Sequence, residues 1–191
     1  EQLWLNENPV RDMKLQALRV GDFGIAVWPC EVFALHGLQL KAQSPLEPTM
    51  NIALANAEEG YILPPELYPL GGYNTWACRT AMLEKEAGPK MVEALTALLE
   101  EVSGKPRRPV AVTQGVYAQD VLASRPLAYW RMEEWGGATA FDATGSGRNA
   151  AYEPGIARWL DGPDSPAFSG TGSVNRCVHL AGGRIAAELK E

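Results

Sequence analysis

The spacing of apolar residues along this chain switches between two periods, which predicts an alternation of strands and helices in its first hundred residues. Lys14 to Val20 and Phe23 to Trp28 read as strands separated by Gly21-Asp22, a hairpin turn. The second of these is a nearly unbroken apolar run, the pattern of a buried strand. Val32 to Leu40 then follows a helical period, and Met50 to Asn56 returns to a strand. The clearest helix runs from Pro89 to Val102. It has proline in its first turn, Met91, Leu95, Leu98, Leu99 and Val102 on one face, and Gly104 just past its end. From Val116 onward the texture becomes short apolar runs, such as "PLAYWRM" and "RCVHLAG", set between Gly, Ser, Asp and Pro. That texture predicts strands and turns.

The stretch "SGKPRRPVAVTQG" separates the two textures, and its glycine, prolines and clustered charge mark a boundary. The expected organisation is a mixed α/β domain over residues 1–103, a solvated linker over 104–115, and an all-β module over 116–191. With few strand candidates, that module is expected to be a truncated one. The chain begins without Met and ends in charged residues after a strand-like run, as a piece of a longer protein would. It also lacks an apolar stretch long enough to span a bilayer, so no transmembrane segment is expected and a soluble globular class is.

Composition narrows the chemistry. The chain has 17 Lys and Arg against 23 Asp and Glu, a formal net charge of −6, and its one basic cluster is Lys105 to Arg108. A nucleic-acid partner is not expected, because phosphate neutralisation needs clustered cations. Cys30, Cys78 and Cys177 form no CxxC pair and are odd in number, so neither a disulfide framework nor a cysteine zinc site is signalled. His36 and His179 are read as packed or surface residues without a role. Tyr129, Trp130, Trp135 and Trp159 are read as core aromatics, and Asp142 to Gly147 as a turn rather than a calcium loop.

One acid stands out. Glu31 follows Pro29-Cys30 at the end of the buried apolar run. On its own it reads as a helix N-terminal acid favoured by the macrodipole, and Tyr61 as a half-buried aromatic. Further along, "NAEEGYILPPELYPLGGYN" supplies Asn56, Tyr61 and, twelve residues later, Tyr73. Taken in order, Pro29-Cys30-Glu31, Asn56, Tyr61 and Tyr73 resemble the C-terminal part of the catalytic domain of the neutral ceramidase family, over residues 10 to 102. The resemblance implies zinc as cofactor, with Glu31 and Tyr61 as two of its ligands. It makes Tyr73 the catalytic donor to the reacting carbonyl, and it places the histidine ligands upstream.

The surroundings of these positions depart from the family. It follows the glutamate with Phe-Thr where this chain has Val32-Phe33, and the first tyrosine with Thr-Thr where this chain has Leu63 and Pro64. It also has Glu after the second tyrosine, where this chain has Asn74. The resemblance thus implies hydrolysis of an N-acyl amide, in ceramide or a related lipid amide. "YAQDVLASRPLAYWRMEE", "FDATGSGRNAAYEPG" and "RCVHLAGGRI" are similar to the opening of a laminin-G-like, concanavalin A-like jelly roll. That likeness implies a lectin-like module with carbohydrate as its partner and no catalysis of its own. A secreted, periplasmic or cell-surface location is expected of such a pair. The alternatives are a non-catalytic surface adhesion protein with a degenerate ceramidase-like domain, or a structural α/β domain whose matches are accidental.

Overall fold

A computed structural model of the chain describes residues 6–7, 9–109, 115–169 and 175–188. The protein is of mixed helix and strand, with small sheets and no barrel among the described residues. It falls into two compact units, Glu1–Val110 and Ala111–Glu191. Residues 110–114 of the expected linker, and 170–174 and 189–191 of the expected module, lie outside the described residues.

The first unit is built on a three-stranded sheet. β1 (Gln16–Val20) and β2 (Phe23–Val27) form the antiparallel hairpin that the Gly21-Asp22 turn predicts, with Gly21 at φ +63° where a side chain would be strained. β4 (Thr49–Ile52) lies parallel to β2, so the intervening chain has to cross over. That crossover holds a short strand β3 (Glu31–Val32) and the helix α1 (Ala34–Gln43). The helix therefore begins two residues later than the apolar period suggests, because Val32 is taken by a strand. β4 ends early as well: Leu54 and Asn56 adopt positive φ, which breaks the extended run.

The helix α2 (Ala87–Ser103) supplies the largest share of the core of any one element. Its buried stripe runs through Met91, Val92, Leu95, Thr96, Leu99 and Ser103, and Gly104 closes it in the left-handed conformation. Val102, expected on this face, is exposed, because spacing by four from Leu95 and Leu99 leads to Ser103 instead. The stripe packs on Ala26, Trp28, Cys30 and Leu40. Trp28 is fully buried, and its indole N–H donates to Asn51 Oδ1 at 3.0 Å, while Asn51 Nδ2 donates to the Gly37 carbonyl at 3.0 Å. One side chain thus ties β2 and β4 to α1.

Lys105 to Arg108 is not a solvated linker. Arg107 bonds both carboxylates of Glu93 and Glu100, and Arg108 donates to the carbonyls of Lys41, Gln43 and Ser44 at the end of α1. The cluster is bound to the first unit because the last carbonyls of a helix need donors.

The second unit is not all-β. Val116–Ala123, expected to open the first strands, is a helix, α3, and a four-residue helix α4 (Pro166–Ser169) packs near it through Tyr117 and Phe168. Gly115 precedes α3, and Ala, Gln and Leu within it favour the helix. The strands form two small sheets. β7 (Ala150–Tyr152) lies between β6 (Thr139–Ala140) and β10 (Ile185–Ala186), while β8 (Ile156–Asp161) pairs with β9 (Arg176–Leu180). The core holds Ala140, Ala150, Tyr152 and Ile156, with Trp130 packed against it. Asp142 organises the turn that follows β6. Its carboxylate accepts from the backbone of Tyr129, Thr144 and Arg148 and from the hydroxyls of Thr144 and Ser146. These bonds outweigh the effect of burial and hold its ionisation well below the usual carboxylate range, as expected of a structural turn.

Candidate functional site

Glu31 is not a helix N-terminal acid; it lies in β3, paired in parallel register with Tyr61 of β5 (Tyr61–Ile62). The pairing is closed by Glu31 N–H to the Gly60 carbonyl and Phe33 N–H to the Ile62 carbonyl, each 2.9 Å. Register partners in neighbouring strands project from the same face, roughly 5 Å apart, so the carboxylate and the phenol become neighbours. Cys30, one residue earlier, projects the other way into the core. There its thiol meets the Met91 sulfur at 4.0 Å, and burial pushes its ionisation up to about 12.

The loop before Tyr61 depends on glycine. Gly60 has φ +81°, and a Cβ there would lie 2.4 Å from the Thr80 carbonyl oxygen, the same oxygen that accepts from Tyr61 N–H at 2.8 Å. Thr80 is a neighbour that sequence reading missed, and the glycine before Tyr61 was its only signal. After β5, a 3₁₀ turn over Pro65–Leu70 and two positive-φ residues, Gly71 and Gly72, bring the chain back so that Tyr73 reaches Tyr61. The rings meet edge to face, with centroids 5.2 Å apart at 86°. A hydrogen bond joins Tyr73 Oη and Tyr61 Oη at 3.0 Å.

The three residues singled out in the sequence are thus brought together, Glu31 beside Tyr61 by register and Tyr61 hydrogen-bonded to Tyr73. Tyr61 holds its proton unusually firmly, up to about 12. The bond with Tyr73 is the first cause, followed by partial burial, the negative charge of Glu31 and a hydrogen bond to that carboxylate. The array faces solvent, with Tyr73 60% exposed, and Leu70 and Trp76 add exposed apolar surface on either side of it in sequence. Asn56 stands outside it, its amide donating to Gln16 Oε1 at 2.6 Å and holding the loop to β1.

Whether these residues suit zinc is decided by their number. Glu31 and Tyr61 offer two adjacent oxygen donors, short of the three protein ligands of a catalytic site. Among the described residues no group of three His, Cys, Asp or Glu could hold a metal ion. His36 is buried under α2 and His179 is exposed on β9, so neither completes the set. A cleft of about 660 Å³ opens elsewhere in the first unit, beside Met13, Leu15, Met82, Leu83 and Met91. Its cations are already paired, Arg11 with Glu59 and Lys90 with Glu84, and it is not lined by Glu31, Tyr61 or Tyr73. No helix among the described residues is long and apolar enough to cross a membrane.

Compared with protein-family models, curated proteins and solved structures, the chain has no significant match in any of the three.

Proposed function

We propose that Glu31, Tyr61 and Tyr73 are part of a zinc-dependent amidohydrolase site acting on an N-acyl amide, ceramide or a related lipid amide, with imidazole ligands supplied from outside the described residues. The observation that carries this reading is the joining of carboxylate, phenol and phenol across β3, β5 and the Tyr73 turn. Zinc in such a site supplies a water acidified to a pKa of roughly 7 and polarises the carbonyl. Glu31 and Tyr61 would hold the metal, whose charge favours loss of the phenol proton that Tyr61 otherwise retains. Tyr73, exposed and hydrogen-bonded to Tyr61, would in this reading turn its hydroxyl toward a developing oxyanion. Exposed Leu70 and Trp76 offer apolar surface to an acyl substituent.

For the second unit we propose a lectin-like role with a carbohydrate partner, and for the whole a secreted, periplasmic or cell-surface protein. The small antiparallel sheets and the Asp142 turn support that module, although α3 stands where its first strand was expected. A non-catalytic adhesion protein is the second reading. It is favoured by the departures around each motif, at Val32-Phe33, Leu63-Pro64 and Asn74.

The test is zinc content and hydrolysis of a panel of N-acyl amides, measured on the protein purified from cells that produce it. Glu31→Ala is expected to lose zinc and activity together. Tyr73→Phe is expected to keep zinc and lose on the order of 10² in turnover, because its donor serves only the transition state. A metal-free, inactive wild type would transfer the case to the adhesion reading, and full activity in Tyr73→Phe would remove that residue from the chemistry.

A further inference from the structure

His36 lies in the first turn of α1, directly after the strand that carries Glu31. Phe33 links the two, donating to the Ile62 carbonyl and accepting from His36 N–H at 3.0 Å. The imidazole is 3% exposed and faces the first turn of α2 at Gly88. The approach is close enough that a Cβ on Gly88 would sit 2.2 Å from His36 Nε2, so only glycine lets the ring seat there. At the start of α2, Ala87 N–H already donates to the Glu84 carbonyl and Lys90 N–H to the Glu86 carbonyl, and Pro89 has no N–H, so what the ring meets is the positive end of the macrodipole. A neutral imidazole is compatible with that surface and an imidazolium is opposed by it. Neither ring nitrogen has a hydrogen-bond partner.

We propose that His36 is an acid-sensitive latch between α1 and α2, through which mild acid loosens the strand that carries Glu31. Charged groups around the contact do not offset an imidazolium. Lys41 lies on α1; Glu84, Lys85, Glu86 and Lys90 surround the start of α2; Glu66 and Tyr68 follow Leu63. None of them is among the groups that move the protonation of His36. Burial lowers its pKa from 6.5, while the Leu63 backbone and the Gln39 side chain favour the cation without closing a hydrogen bond of ordinary geometry. With the folded value below the unfolded one, the latch is at full strength above about pH 6.5 and weakens as pH falls toward the folded value. The latch does not rest on the zinc reading.

The chain has two histidines, so His179→Gln, a change at an exposed position, leaves His36 as the one imidazole to observe. In that protein, without metal, the His36 ring protons are followed by NMR from pH 8 to 5 together with amide exchange over residues 31–40. His36 is expected to titrate below 6.5. Amide exchange corrected for intrinsic chemistry is expected to rise by up to about tenfold per pH unit in the same window. His36→Gln should abolish that rise. Titration at or above 6.5, or protection of residues 31–40 unchanged down to pH 5, would overturn the latch. Both are read in a protein that retains His36, so the result stands even if His36→Gln fails to fold.

Discussion

Two side chains thirty residues apart in sequence become neighbours when Glu31 and Tyr61 take the same register position in a parallel pair, and the consequence is electrical. A carboxylate beside a phenol opposes a second negative charge, so Tyr61 keeps its proton up to about 12, with Tyr73 the larger cause and Glu31 a further one. Glu31→Gln removes the charge while preserving size. Tyr61 is then expected to ionise at lower pH, read from its ring ¹³Cζ shift during an alkaline titration. An unchanged titration would show that the carboxylate does not act on the phenol. The residues of this array were legible in the sequence by type and spacing, but their chemistry was not. Glu31 read equally as a helix N-terminal acid, because nothing local to "PCEVF" shows that Val32 pairs with Ile62 and delays the helix. The Thr80 approach to Gly60 was invisible for the same reason, since a backbone approach is a property of two segments.

Among the elements, those whose signal is local were read well. The β1–β2 hairpin follows from a two-residue turn, and α2 from apolar residues at every fourth position with Gly104 after them. α3 was missed because Val116, Tyr117 and Val121 give eight residues a strand-like texture, and so short a helix is decided by what it packs on. The Lys105 to Arg108 cluster was misread more instructively. Its charges suggested solvent, yet Arg108 bonds three carbonyls at the end of α1, and its pairing with Glu47 adds a further tie. Arg108→Ala leaves the side-chain share of those carbonyls to water. The partly exposed position limits the loss to about 1–2 kcal/mol of first-unit stability. Urea unfolding should show the midpoint falling with an unchanged slope. No shift would return the cluster to the solvated reading.

At the scale of the whole molecule the decisive feature is that two cores share no residue. The first gathers Trp28, Leu40, Leu46, Ile62, Leu95 and Leu99, all essentially inaccessible, around one helix and a three-stranded sheet. Among the described residues, the second core gathers just Ala140, Ala150, Tyr152 and Ile156 as buried members, two of them alanines. It also carries the cost of a buried cation. Arg158 is 9% exposed and stacks over the Tyr152 ring at 4.2 Å, yet its Nε and Nη1 have no hydrogen-bond partner. A buried, incompletely paired guanidinium weakens a fold that has little apolar burial to offset it. The second unit is therefore expected to unfold at lower urea than the first. Tryptophan makes this measurable, because Trp28 reports the first core while Trp130, Trp135 and Trp159 belong to the second unit. One variant retaining Trp28 alone and another retaining Trp159 alone, the rest replaced by Phe, should give two fluorescence transitions, with that of Trp159 at the lower midpoint. Replacing Arg158 by Leu should narrow the gap by raising the Trp159 midpoint, since a buried charge gives way to an apolar side chain. Coincident midpoints in both variants would mean that the two cores melt as one cooperative body, and the lower stability assigned to the second unit would be wrong.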